Sequence, residues 1–256
     1  MTVAIVGYGF VGKAMHKLFP EATIHDPKLD KPTATQNDVN KCDVVFICVP
    51  TPVIDEGKLD TSIVEEVISW CESKYIIIRS TVNPHDCEKW VFKYREKVIV
   101  YQPEFIGESP AHPLLDEKAR AFLILGGLPD ARRKVIELYQ TVYNANITIR
   151  QLTWLEAEVA KLSENRAIAF KVAQCQELFD VCEKEGIDYY QIRETVYGDD
   201  PRFNLWWTFV FVNKRGLQSK CLPKDCYAWC AWAESLGYKP EITRALLERN
   251  KKWISQ

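Results

Sequence analysis

The chain has 256 residues, 47% hydrophobic and 27% charged, with a formal net charge of -2. That is room for one large domain or two modest ones, and the charge balance points to neither nucleic acid nor an anionic membrane as a partner. No run approaches the roughly 18 uninterrupted apolar residues of a membrane span. The nine cysteines are odd in number and partly set in apolar stretches, so reduced thiols in a cytoplasmic setting are expected rather than a disulfide framework.

The chain opens directly on an apolar strand, Val3-Ala4-Ile5-Val6, so no signal peptide is expected. Phe10, Val11, Ala14, Met15 and Leu18 then recur at helical spacing up to Phe19-Pro20. Ala22 to His25 reads as a second short strand, and residues 28–41 are polar and without pattern. Asp43 to Val49 reads as a buried strand ended by Pro50-Thr51-Pro52, Thr61 to Trp70 as a helix, and Tyr75 to Ile78, Val98 to Tyr101 and Ala121 to Leu125 as three more strands. Near-continuous apolar strands alternating with helices imply a mostly parallel sheet covered on both faces.

The pattern changes near residue 150. Thr153-Trp154-Leu155-Glu156 is a capping box, and no proline or glycine follows until Gly186. Leu155, Val159, Leu162, Ala169, Val172, Cys175, Phe179 and Cys182 form an apolar stripe along one helix, roughly 45–50 Å long at 1.5 Å per residue. A helix that long exceeds the needs of a small domain, so a homodimer packed through residues 153–185 is expected. The expected organisation is a dinucleotide-binding domain over 1–150 and an all-α domain over 151–256, built on the long helix.

Gly7-Tyr8-Gly9-Phe10-Val11-Gly12 follows a strand, opens a helix and is answered by Asp26, 19 residues after Gly7 at the end of the next strand. Gly7 permits the tight turn, Gly9 admits the pyrophosphate to the backbone, and Gly12 lets helix and sheet approach. The helix N-terminus offers amide donors to the phosphates. Asp26 can accept from both ribose hydroxyls and would repel a 2′-phosphate, so NAD is expected over NADP, with Lys28 nearby.

Further on, Lys161 and Asn165 are four apart on the long helix and project from one face, where an ammonium and an amide could hold a nascent oxyanion. Cys221-Leu222-Pro223-Lys224-Asp225 brings thiol and carboxylate together if a helix starts there, with Lys224 or Lys161 available to favour a thiolate. Thr81, Glu104 and Glu108 follow strands, and strand ends face the cofactor crevice of a doubly wound sheet. Cys221, Cys226 and Cys230 lack a Cys-x-x-Cys pair or a nearby histidine, so no metal is expected. The four histidines sit in no motif and read as structural, and the aromatic run Phe203 to Phe211 reads as core or interface.

Taken in order, Gly7 to Gly12, Val49-Pro50-Thr51-Pro52, Ser80-Thr81-Val82, Tyr101-Gln102-Pro103-Glu104-Phe105 with Glu108, Lys161 with Asn165, and Cys221 to Asp225 resemble the UDP-glucose/GDP-mannose dehydrogenase family over essentially the whole chain. The resemblance implies a Rossmann-like doubly wound sheet followed by an all-α domain. It implies NAD held by the glycine loop (Gly7, Tyr8, Gly9, Phe10, Val11, Gly12), Asp26, Lys28, Val49, Pro50, Thr51, Thr81 and Glu108. A nucleotide-sugar substrate is implied at Glu104, Phe105, Lys161, Asn165, Gly216 and Arg202, the last similar to a family arginine that reaches a neighbouring subunit's substrate. Cys221 is implied as nucleophile, Lys161 and Asn165 as oxyanion partners, and Asp225, Glu104 and Thr81 as managers of water and protons. The reaction implied is a four-electron oxidation of a sugar C6 alcohol to a carboxylate, with two NAD in succession.

Two departures from the family pattern stand out. Gly216-Leu217-Gln218-Ser219-Lys220 keeps only the first glycine of the glycine-rich stretch expected before the cysteine. The family's third, C-terminal α/β domain, which holds the nucleotide, would begin about where this sequence reaches Ile254-Ser255-Gln256, so a compact form or a fragment is expected. Two other readings stay open: a two-domain β-hydroxyacid dehydrogenase, which shares the Lys-x-x-x-Asn pair but needs no cysteine, and an NAD-binding remnant without turnover.

Overall fold

The computed structural model describes residues 1–30, 33–54, 57–107, 116–119 and 121–255. Its elements in chain order are β1 (Val3–Val6), α1 (Phe10–Leu18), β2 (Thr23–His25), α2 (Gln36–Val39), β3 (Val44–Ile47), α3 (Ser62–Trp70), β4 (Tyr75–Ile78), α4 (Asp86–Lys93) and β5 (Val98–Tyr101). There follow a 3-10 turn at Glu117–Ala119, β6 (Phe122–Gly126), α5 (Pro129–Tyr139), β7 (Thr148–Leu152), α6 (Trp154–Glu185), α7 (Tyr189–Arg193), a π turn at Glu194–Asp199, α8 (Leu222–Ser235) and α9 (Glu241–Ile254). The chain divides into two compact units, one of Met1–Pro52 with Leu59–Lys161, the other of Val53–Lys58 with Leu162–Gln256.

The first unit is a seven-stranded sheet in the order β2-β1-β3-β4-β5-β6-β7. Neighbours are parallel except β5 and β6, which are antiparallel. Register explains why the strands read as continuous apolar runs. Ile5, Phe46, Ile77 and Val100 lie side by side across four strands and pack beneath Met15 and Leu18 of α1 and Val135 and Leu138 of α5. The alternate row, Ala4, Val45, Ile76 and Ile99, packs on the opposite face with Val64 and Ile68 of α3, Trp90 of α4 and Ala157 of α6. Both faces are covered, so both sets of side chains are apolar. Strand order reverses between β1 and β3, and such a switch point is where doubly wound sheets bind ligands.

Four elements depart from the sequence reading. α2 is a single turn held by a Thr35–Asp38 capping box inside a stretch read as patternless. α4 and α5 went unread, and β7 is a half-exposed edge strand whose polar Thr-Ile-Arg-Gln-Leu sequence carries no buried-strand signature. The long helix forms as its sequence dictates: the Thr153 hydroxyl accepts from the Glu156 amide (3.3 Å), the Glu156 carboxylate accepts from the Thr153 amide (2.8 Å), and α6 runs 32 residues to Gly186, whose φ of +69° ends it.

The second unit is helical. Ala169 of α6 packs with Cys226 and Cys230 of α8 and Leu246 and Leu247 of α9. Farther along α6, Cys175, Phe179 and Cys182 enclose Tyr189, Tyr197 and Val210. Among the described residues no helix is long and apolar enough to cross a membrane.

Candidate active site

The glycine loop follows from steric limits. Gly7 has φ +90°, and a Cβ there would lie 2.6 Å from the Cys48 carbonyl oxygen; at Gly12 a Cβ would lie 2.0 Å from the Gly7 carbonyl oxygen. Both obstacles are main chain and cannot turn aside. Gly9, by contrast, has open space around its Cβ direction. It is the N-cap of α1 and supplies no side-chain cap, so the first amides of the helix are left to an anionic ligand. Beside it, Tyr8 and Val11 are half-buried and Phe10 is exposed.

Asp26 follows β2, and its carboxylate accepts from the backbone amides of Tyr8 (2.8 Å) and Lys28 (2.9 Å). Loop and acid are thus joined directly, a link that spacing alone did not reveal. Lys28 contributes its amide, and its side chain is exposed. The Tyr8 hydroxyl and His16 Nδ1 are 2.6 Å apart, which ties the loop to α1.

The ends of β3 and β4 are stitched together by hydroxyls. Ser80 donates to the Val49 carbonyl (2.7 Å) and Thr51 to the Thr81 carbonyl (2.7 Å), with Pro50 exposed between them. The half-buried Thr81 begins a turn in which Asn83 donates to the Leu59 carbonyl (2.9 Å) and to Asp86 (2.9 Å). Immediately before Ser80, Arg79 is fully buried and paired with Glu117. Burial is the largest influence and works against that charge, but the Glu117 carboxylate, with Tyr139, Cys48 and Tyr143 adding to it, holds the guanidinium above its ordinary range. After β5, the Glu104 carboxylate accepts from the Ile106 amide (2.7 Å), and Lys161, 2% exposed, places its ammonium 4.8 Å from the ring centre of Phe105. Glu108 lies outside the described residues.

Cys221 and Asp225 lie in the second unit. Cys221 is the N-cap of α8, and its carbonyl accepts from the Asp225 amide (2.9 Å), so the helix start inferred from spacing exists. Asp225 is fully buried. It accepts from the Asn165 carboxamide (2.5 Å) and pairs with Lys224 at 2.8 Å. The sequence reading had grouped Asn165 with Lys161, and it had not foreseen Asp225 as the Asn165 partner. The Leu222 amide is capped by the Ser219 hydroxyl (3.1 Å), and Gln218 donates to the Arg215 carbonyl (2.9 Å). The two side chains that stand where glycines were expected are therefore bonded to their own turn.

Gly216 has φ +75°, and a Cβ would lie 2.6 Å from Asn250 Oδ1. Asn250 itself clamps both backbone groups of Leu217, accepting at 2.6 Å and donating at 3.3 Å. An asparagine inside the apolar stripe of α9 was the sequence signal for it. Arg202 is exposed and forks the Asp200 carboxylate at 2.6–3.1 Å.

None of the nine cysteines is in a disulfide, and Cys221 alone is not buried. Burial pushes Cys48 and Cys226 up to about 12, and Cys87 well above its usual range. Those thiols are poor nucleophiles. A sulfur at the positive end of α8 is where negative charge is favoured.

Family models match both parts of the chain. The NAD binding domain of the UDP-glucose/GDP-mannose dehydrogenase family matches residues 19–144, and the central domain of that family matches residues 155–252. The chain belongs to the UDP-glucose/GDP-mannose dehydrogenase family.

Among its relatives, UDP-glucose 6-dehydrogenase AglM of Haloferax volcanii is 24% identical over 98% of this chain and 69% of that protein. Several other curated UDP-glucose 6-dehydrogenases are covered over only about half their length. The structure of a UDP-glucose dehydrogenase from Pyrobaculum islandicum superposes with a TM-score of 0.81 at 21% identity, covering 98% of this chain and 68% of that one. The 3-hydroxyisobutyrate dehydrogenase of Mycobacterium tuberculosis superposes with a TM-score of 0.71 at 17% identity, covering 100% and 94%.

The residues present fit NAD, the cofactor of the matched N-terminal domain. An open Gly9 stands at an uncapped helix start, and the Asp26 carboxylate is tied to the same loop.

Proposed function

We propose that this family member oxidises the C6 alcohol of a nucleotide sugar to the carboxylate, of the UDP-glucose to UDP-glucuronate type, with Cys221 as the covalent nucleophile. The observation that carries the reading is the contrast among the thiols: eight are buried, and the ninth is half-exposed at a helix start beside a buried Asp225–Asn165 pair.

NAD, held by the Gly7–Gly12 loop and Asp26, would supply the hydride acceptor. The substrate hydroxyl first loses a proton and a hydride to give the aldehyde. The Cys221 sulfur then adds to the aldehyde carbon, and the Lys161 ammonium and Asn165 amide hold the oxyanion of the thiohemiacetal. Loss of a second hydride gives a thioester on Cys221. Water adds to it with its proton passed to Asp225 or Glu104, with Thr81 orienting the water, and the thiol leaves. One alcohol, two NAD and one water thus give one carboxylate, two NADH and three protons.

In this reading residues 1–150 serve the cofactor and residues 151–256 the thiol chemistry. Thr51, Thr81 and Glu108 line NAD, while Phe105, Gly216 and Arg202 meet substrate. The chain works in the cytoplasm as a homodimer joined through 153–185. The exposed Phe203, Trp206, Phe209 and Phe211 of the second unit support an association surface there. Light scattering that finds a monomer at micromolar concentration would remove the dimer.

The deciding test is NADH formation from UDP-glucose, wild type against Cys221→Ser. Two NADH per sugar in the wild type and a loss of about a thousandfold or more in the variant are expected. Turnover that survives the substitution would favour the β-hydroxyacid dehydrogenase reading, whose fold matches along the whole chain. NAD binding without turnover would favour the remnant.

A further inference from the structure

Helix α4 begins without a cap of its own. Its N-cap, His85, is left-handed (φ +74°), an unusual conformation for a residue with a Cβ, and its side chain caps none of the first-turn amides. The missing cap comes from α6. Glu158, with no exposed surface, accepts from the His85 amide (2.7 Å) and from the Cys87 amide (2.9 Å), one oxygen to each. Glu158 lies within the apolar stripe of α6, between Leu155 and Leu162, where a carboxylate has no packing reason to be. Three residues beyond it is Lys161, and four residues before His85 is Thr81.

We propose that Glu158 is a positioning residue: its ionised carboxylate fixes the Thr81 turn to the Lys161 turn of α6, and so sets NAD affinity and the rate of hydride removal. The statement about rate rests on the oxidation reading above; the statement about NAD affinity does not. A protonated carboxyl can accept at only one of the two amides, because the oxygen carrying the proton opposes an N–H.

Burial is the main cause that lifts Glu158 to about 7, and the neighbouring Asp86 charge adds to it, while the amides of Cys87 and His85 pull the other way. The other groups around it are the Cys87 thiol, the His85 imidazole, held at 2.8 Å by Glu88, and Lys89, paired with Asp86 at 3.2 Å. On its own helix Lys161 is one turn away.

The experiment is calorimetric titration of NAD into the full chain at pH 6 and pH 8, for wild type, Glu158→Gln and Glu158→Asp, with hydrogen exchange followed at His85 and Cys87. Wild type is expected to bind NAD about fivefold to tenfold more tightly at pH 8, a factor set by one cap hydrogen bond. Glu158→Gln is expected to show the weaker affinity at both pH values and fast exchange at the two amides, and Glu158→Asp to recover part of the pH 8 affinity. A glutamine variant that loses amide protection yet keeps wild-type affinity and pH profile would overturn the proposal, leaving Glu158 a structural cap only. Should that variant fail to fold, wild-type affinity that is flat between pH 6 and 8 would overturn it equally. If UDP-glucose is not turned over but NAD affinity follows Glu158, the oxidation reading fails and this one stands.

Discussion

The glycine loop and the cysteine turn solve the same problem, holding the start of a helix in place, by opposite means. At the loop the main chain does it: Gly7 and Gly12 are shaped by carbonyl oxygens of Cys48 and Gly7, and Gly9 presents bare backbone. At the turn, side chains do it: Asn165 on Asp225 and Asn250 on Leu217 from distant positions, and Ser219 on Leu222 from within the turn. The first arrangement tolerates almost no substitution but is easily recognised. The second rests on side chains, and Gln218 and Ser219 bond their own turn.

The hardest blow to that contrast would be a tolerated Gly12→Ala. With backbone 2.0 Å from the new carbon, it is expected to cost about 3 kcal/mol or more in urea unfolding and to abolish NAD binding. Gly9→Ala sharpens it from inside the same loop: with open space and φ -73°, stability is expected to fall by under about 1 kcal/mol, and only calorimetric NAD affinity suffers.

In the same unit as the loop Glu158 caps a helix with its side chain, and the sign of its titration is the reverse of a paired surface carboxylate. Its folded value is raised from 4.5 to about 7, so the folded protein holds that proton more tightly than the unfolded chain. Its contribution to stability is therefore full below about 4.5 and is lost as pH rises through about 7. Thermal unfolding of wild type relative to Glu158→Gln is expected to change by up to roughly 3 kcal/mol across that window. No difference in slope would remove the ionisation from the account.

At the cysteine turn, Asn250→Ala is expected to cost about 1–3 kcal/mol, because it leaves buried groups of Leu217 unpaired. Ser219→Ala, the smallest change, is expected to cost about 1 kcal/mol as a lost cap. If either asparagine or serine variant proved as damaging as Gly12→Ala, the turn would be as rigidly specified as the loop.

The same contrast governs what could be read from the sequence. Alternating buried strands, the glycine loop with Asp26, and the long helix with its capping box are local patterns, and each stands in the structure where the reading put it. β7 and α4 escaped because an edge strand need not be apolar and because α4 takes its cap from 71 residues away at Glu158. In the candidate site, Cys221 with Asp225 was legible because it occupies one turn of one helix. The partners that hold that turn, Asn165 to Asp225 and Asn250 to Leu217, are long-range: the place of Asn250 in the α9 stripe marks a buried polar group, but spacing does not name its partner.

The mutual fit of Gly7 and Gly12 has a consequence for repair. A cavity-filling mistake in a core can be relieved by a second substitution that shrinks a neighbour. Here the neighbour is the peptide carbonyl of another glycine, whose own position is bounded by the peptide after Ile47-Cys48. Trimming the nearby Ile5 side chain, 3.4 Å away, would leave the 2.0 Å backbone clash in place. A lesion at Gly12 should yield no intragenic suppressor among its contacts, only reversion, so selection can keep or discard this loop but not renegotiate it.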